Sequence, residues 1–128
     1  GLGDVYKRQT QARPQLEPEG YVFITDVDLF TEKSDGVFAA MLRRKKLAVV
    51  SVRRLRESFY RRKANPGKQR ARQVKEIVRV VARLRGMPQC DAPGCVLAPS
   101  KMLADLDLKE EKFCRACSQR FFTGSVRI

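Results

Sequence analysis

Four cysteines and no histidine constrain this 128-residue chain more than any other feature. The cysteines fall as Cys90-x4-Cys95, eighteen intervening residues, then Cys114-x2-Cys117. Two close pairs at that separation suit one tetrahedral zinc ion held by four thiolates. Two disulfides, or four free buried thiols, would use the same residues, and neighbouring Asp91 and Arg115 do not separate these cases. A site of four thiolates is closed, so its zinc holds structure; most hydrolytic zinc sites need imidazole ligands and an open position.

The length allows one domain at most. The formal charge is +13 and the pI about 10.2. No apolar run approaches the ~18–20 residues that span a bilayer, so no membrane partner is expected. Residues 4–9 read DVYKRQ, which resembles a translated transposon-end adapter. Residues 1–9 are therefore set aside as a scar, with the natural sequence expected to begin near Thr10. Without the scar the charge is +12, since Asp4, Lys7 and Arg8 leave together. A signal peptide or the first elements of the fold would lie upstream, leaving a sheet edge exposed.

Residues 10–20 carry Pro14 and Pro18 and read as a linker. Residues 21–30 (YVFITDVDLF) form the clearest strand, followed by a turn at 31–36. Residues 37–42 suggest a short second strand, 43–46 (RRKK) a charged hairpin turn, and 47–52 (LAVVSV) a buried strand. Residues 53–60 are ambiguous, and 64–68, with Asn65-Pro66-Gly67, read as a loop. From 69 to 85 the pattern is helical. Val74, Ile77, Val78, Val81 and Leu84 make an apolar stripe, and Gly86 and Pro88 stop the helix. Residues 90–117 show little regular structure beyond a helical turn within 101–112, a length that metal ligation can hold.

Charge is uneven. Residues 43–86 contain 17 Lys or Arg against Glu57 and Glu76 alone. Such a block is usually a solvated face, and it also suits nucleic acid or an acidic partner. Phe59-Tyr60 and Phe121-Phe122 are the only aromatic pairs near it, which is thin support for base stacking.

From Lys75 onward the chain resembles the archaemetzincins, a family of zinc metallopeptidases. Their pattern runs H-E-x-x-H-x-x-G-x-x-H-C-x4-C-x-M, then sixteen or seventeen residues, then C-x-x-C. Gly86, Cys90, Cys95, Cys114 and Cys117 keep that spacing. The segments ITDVDLF, LAVVSVRRLR and FY look like the family's strand region, and SKMLADLDLKEEKFC like its stretch before the last cysteine pair. The resemblance covers about residues 20–117. It implies an α+β (mixed α/β) fold: a small metzincin-like sheet packed on an active-site helix, then a C-terminal segment held by a four-cysteine zinc site. The N-terminal part of the domain is expected to be missing. The implied division is 10–128 as a partial domain, with sheet and helix at 20–89, zinc module at 90–117 and tail at 118–128.

The departures are as informative. The positions of the three catalytic zinc ligands hold Arg79, Arg83 and Gln89. The general-base position holds Val80, and the methionine position below the metal holds Leu97. Guanidinium is no metal ligand, and Val80 cannot take a proton from water. His to Arg, Glu to Val and His to Gln each need one base change, while the helix stripe, the Gly86 stop and all four cysteines persist. The expectation is a pseudopeptidase with one structural zinc at Cys90, Cys95, Cys114 and Cys117, located in the cytoplasm. On the helical wheel Arg72, Glu76, Arg79 and Arg83 lie opposite the apolar stripe. That face lines the family's cleft, so Arg72, Arg79 and Arg83 are candidates to grip an anion or acidic peptide. The bland reading pairs Glu76 with these arginines on an exposed face. Two further readings are a nucleic-acid-binding zinc module, and an active peptidase with Asp26 or Asp28 as substitute ligand.

Overall fold

The central strand of the sheet is LAVVS, β3 (Leu47–Ser51), four of whose five residues are buried. A strand apolar on both faces needs cover on both sides and neighbours at both edges. In the computed structural model, which describes residues 19–29 and 38–123, β3 has all of these. It pairs in parallel with β1 (Tyr21–Thr25), Tyr21 opposite Leu47 and Thr25 opposite Ser51. On its other side it pairs antiparallel with β2 (Ala39–Leu42), Ala39 opposite Val50 and Leu42 opposite Leu47. The sheet order is β1-β3-β2. A 3-10 turn at Arg43–Lys45 closes the β2–β3 hairpin, as the charged run at 43–46 predicts, with Lys46 at a φ of 52°. Tyr21 N–H donates to Lys46 O at 2.9 Å. Gly20 permits this approach, because a Cβ there would lie 2.6 Å from Lys46 O.

Three sequence expectations fall outside the described residues: the scar, most of the linker and the turn at 31–36. The ambiguous stretch resolves into 3-10 turns at Arg53–Leu55 and Glu57–Tyr60.

Helix α1 (Pro66–Leu84) begins earlier than its apolar pattern implies. Asn65-Pro66-Gly67, read as a loop, is its N-terminus. Asn65 Oδ1 accepts from Lys68 N–H at 3.2 Å, and Pro66 occupies the first turn, where its missing N–H costs nothing. The stop at Gly86 is as expected. Met87 N–H reaches Ala82 O and Gly86 N–H reaches Arg83 O, a Schellman closure with Gly86 at a φ of 97°.

The helix is buried differently from its periodicity. Val74, Ile77, Val78 and Leu84 are only half-buried and Val81 is exposed, whereas Arg72, Lys75, Glu76, Val80 and Ala82 are buried. The reason is that α1 is covered on more than one side. The sheet packs on it with Phe38, Ala39, Ala48 and Val50 around Val80. The C-terminal segment covers its far end, where Ala82 joins Met87, Cys95, Val96, Leu97 and Cys117. Its charged face is thereby turned inward.

Buried charge needs partners, and Arg72, 1% exposed, makes four hydrogen bonds. Its Nη1 donates to Leu55 O and its Nη2 to Glu57 Oε1, both at 2.8 Å. Nε and Nη2 grip Asp107 bidentately, both at 2.8 Å. Asp107 lies on helix α2 (Leu103–Leu108), the helical turn expected within 101–112. Lys75 Nζ donates to Leu106 O at 3.0 Å, on the same helix. One side chain thus joins α1, both 3-10 turns and α2.

Arg72→Met should therefore lower unfolding free energy by about 3–5 kcal/mol, since it strands the buried Glu57 carboxylate, and Arg72→Lys should recover only part of it. The Arg72 hydrogen bonds hold the Asp107 carboxyl below its ordinary range. A depressed folded value gives stability that is complete above the unfolded value, about 4, and is lost as pH falls further. Urea midpoints measured from pH 7 to 3 should drop below pH ~4, and less steeply in Arg72→Met. Equal midpoints for variant and parent would refute the role given to Arg72.

Candidate metal centre and the adjoining groove

All four cysteines are unpaired by disulfides, and their Sγ atoms lie within 4.8 Å of one another. The segment 90–98 folds back on itself: Cys90 N–H donates to Leu97 O, Cys95 N–H to Ala92 O, and Ala98 N–H to Cys95 O. Gly94, at a φ of 83°, makes the bend. The second pair sits on a helix that periodicity missed, α3 (Arg115–Phe122). Cys114 is its N-cap residue and Cys117 lies one turn on, so residues 118–122, expected as tail, are helical. Val96 N–H to Lys112 O and Glu110 N–H to Gly94 O tie the two halves together.

The donor set fits zinc. Tetrahedral Zn–S bonds of about 2.3 Å put ligand sulfurs about 3.8 Å apart, and Cys90 Sγ lies 3.8 Å from Cys114 Sγ. Ala92 N–H points at Cys90 Sγ at 3.4 Å and Cys114 N–H at Cys95 Sγ at 3.3 Å, contacts that favour thiolate. The backbone of Cys117 pulls the Cys114 thiol down to about 7, whereas burial and the neighbouring sulfurs push Cys117 up. Zinc bound here would deprotonate the set outright. Lys109, buried, donates to Val96 O at 2.9 Å and Ala98 O at 2.8 Å. Burial pushes its ammonium down to about 8.

The chain that leaves Cys95 runs into a groove of about 640 Å3. Residues 38–41 form one wall. Arg43, Arg79, Gln89, Pro99, Ser100 and Lys101 complete it. Arg79 donates through Nε and Nη2 to Glu76 Oε2, at 3.0 and 2.7 Å. Glu76 thus pairs with an arginine as the bland reading expects, but at 1% exposure and not on an exposed face. Arg83 is half-buried, and its Nη1 donates to Met87 O at 2.9 Å. Burial, then Arg43 and Arg79, lower its hold on its proton. Its Nε and Ser100 Oγ are buried without a hydrogen-bond partner among the described residues.

The sequence-derived positions are thus dispersed. Arg79 and Gln89 line the groove. Val80 and Leu97, both fully buried, belong to the two cores. Arg72 is committed to Glu57 and Asp107 and does not line the groove, so the trio Arg72, Arg79 and Arg83 does not form one open face. Arg43 and Lys101 do line it, and helical-wheel reasoning missed them because neither is on α1. Asp26 and Asp28 pair with Arg56 and Arg54 and do not line the groove either.

Cys117→Ser should lower the zinc held per chain well below that of the parent. Stripping zinc with a strong chelator should lower the melting temperature by roughly 10 °C or more. Metal analysis with calorimetry checks both, and a chelator-insensitive melt would remove the metal from the account of 90–122.

A profile for Peptidase family M54 matches residues 19–122. The archaemetzincin of Saccharolobus solfataricus is 31% identical over 102 residues, which are 80% of this chain and 55% of that protein. The archaemetzincin of Methanocaldococcus jannaschii is 29% identical over 105 residues, 82% of this chain and 59% of that protein. This chain therefore spans a little over half the length of these relatives. Among solved structures, a zinc-dependent peptidase from Methanocorpusculum labreanum superposes with a TM-score of 0.79 at 27% identity, covering 90% of this chain and 67% of that one. The archaemetzincin of Archaeoglobus fulgidus gives 0.66 at 29% identity, covering 84% and 64%. Sequence, fold and cysteine spacing agree: the chain belongs to the archaemetzincin family, peptidase family M54.

Proposed function

We propose that this chain is a non-hydrolytic archaemetzincin homologue. It keeps one structural zinc, on Cys90, Cys95, Cys114 and Cys117, and binds an acidic peptide or other anion in the groove beside it. The observation that carries this reading is the set of residues at the family's catalytic positions. Arg79, Arg83 and Gln89 stand where three metal ligands are expected, Val80 where the base is, and Leu97 where the methionine is. Among the described residues, no carboxylate, thiolate or imidazole lines the groove, and the four cysteines are the one cluster of ligand type. A divalent cation beside Arg79 would be repelled, whereas an anion would meet the cationic donors of Arg43, Arg79 and Lys101 along the lining.

A nucleic-acid reading draws less support. Arg54, Arg56, Arg62, Arg72 and Arg79, all in the basic block, are committed to ion pairs. Phe59 and Tyr60 pack edge to face and carry Arg54 and Arg62 over their rings, at 5.2 and 5.0 Å, so they offer no open stacking platform. The active-peptidase reading loses its substitute ligands with the pairing of Asp26 and Asp28. No helix among the described residues is long and apolar enough to cross a membrane. A cytoplasmic location fits this reading, because four thiolates stay reduced there.

The test is metal content with activity. The purified chain should hold one zinc, and any peptide cleavage should be insensitive to chelators. Two zinc ions per chain, or cleavage that a chelator abolishes, would overturn the proposal. The quadruple variant R79H/V80E/R83H/Q89H should gain a second zinc while keeping the first.

A further inference from the structure

We propose that the groove is a site for a phosphate monoester, held as its dianion by Arg43, Arg79 and Lys101. The inference deepens the non-hydrolytic reading and rests on it, because a catalytic ion in the same groove would displace these cations.

Three cations reach the groove from three separate elements. Arg43 stands on the turn after β2, Arg79 on α1, and Lys101 beyond the cysteine-rich bend. Arg79 has spent Nε and Nη2 on Glu76, which leaves Nη1 for a ligand. Among the described residues, neither Arg43 nor Lys101 has an ion pair. Asp105, on the Lys101 side, accepts from the backbone N–H groups of Lys101 and Met102. Behind the wall stands Arg83, whose proton both Arg43 and Arg79 repel. Those guanidiniums therefore share one region, whose buried carboxylate, Glu76, is gripped by Arg79.

This convergence selects the shape as well as the sign of the ligand. A carboxylate offers two oxygens and one charge, which one arginine can satisfy alone. A phosphate monoester offers three oxygens and up to two charges, so it can meet donors arriving from three directions. Gln89 and the unpartnered Ser100 Oγ supply neutral hydrogen-bonding groups on the same lining. The volume, about 640 Å3, exceeds what a phosphate fills and lies in the range of small-molecule pockets. Phe38, Met41 and Pro99 offer an apolar wall for the group that carries the phosphate.

The zinc-loaded full chain is titrated calorimetrically with phenyl phosphate, methyl phenyl phosphate and benzoate. Phenyl phosphate should bind at one site, about tenfold or more tighter than either monoanion. R43Q and K101Q should each weaken it about tenfold, while R44Q, one residue along and outside the lining, should leave it unchanged. Thermal melts verify that all three variants are folded. Affinity should fall about threefold or more from pH 7.5 to 5.5, as the second phosphate proton returns near pH 6. The chain has no histidine to supply that change. Equal binding of the three ligands would overturn the dianion site and leave a general anion groove standing. Losses in R43Q and K101Q no greater than in R44Q would also overturn it, as would no binding at all. Chelator-sensitive cleavage, by contrast, strikes the non-hydrolytic reading itself.

Discussion

Arg72 is the interaction on which the remaining geometry hangs. A guanidinium 1% exposed in the middle of a helix is costly unless every donor is used. Here the donors reach Leu55 O, Glu57 and Asp107, which stand on segments before and after α1. Satisfying the charge therefore fixes α1 relative to the 3-10 turns on one side and α2 on the other. Once α2 is set, Leu106 enters the sheet-side core and Lys109, just beyond the helix, can reach the cysteine-rich bend.

That reach links the metal centre to the groove. Lys109 holds the carbonyls of Val96 and Ala98, the residues between ligand Cys95 and groove residues Pro99, Ser100 and Lys101. A four-thiolate zinc would carry a net charge of minus two, and a buried ammonium nearby offsets part of it. With a metal bound, the bend would thus be held at one end by the ion and at the other by an ammonium. Lys101 is presented to the groove by a segment with little freedom to turn away.

Much of this was legible in the residues. Hairpin, buried strand and helix stop were all readable, because β-rich runs, charged turns and a Gly followed by Pro each carry a local physical signal. The cysteine cluster was readable for the same reason. The face of α1 was not. Apolar periodicity assigns one stripe to the core, but a helix covered on two sides buries what its neighbours can neutralise, and Arg72 and Glu76 are neutralised. The start of α1 was available in Asn65-Pro66, an N-cap followed by a helix-starting proline, and was hidden by the loop-forming reputation of Asn-Pro-Gly. α3 escaped because its first turn is occupied by ligand spacing and the whole helix is only eight residues long. Arg43 and Lys101 escaped because nothing in one dimension brings residues 43, 79 and 101 together.

The replaced catalytic positions divide by where they lie. Val80 and Leu97 have gone into cores, with full burial beside apolar neighbours. An ionised carboxylate at position 80 would have to be desolvated in that setting, so a valine, which carries no group to take a proton, favours the folded state. Arg79 and Arg83 follow the opposite logic. They put like charges near one another, with Arg83 partly buried and short of a partner for Nε. Stability alone gives no reason to gather positive charge at that spot, since repulsion and desolvation both oppose it. An anion bound in the groove would supply counter-charge beside Arg79, and that contrast between core and groove positions is what would separate a cleft put to another use from one merely worn away.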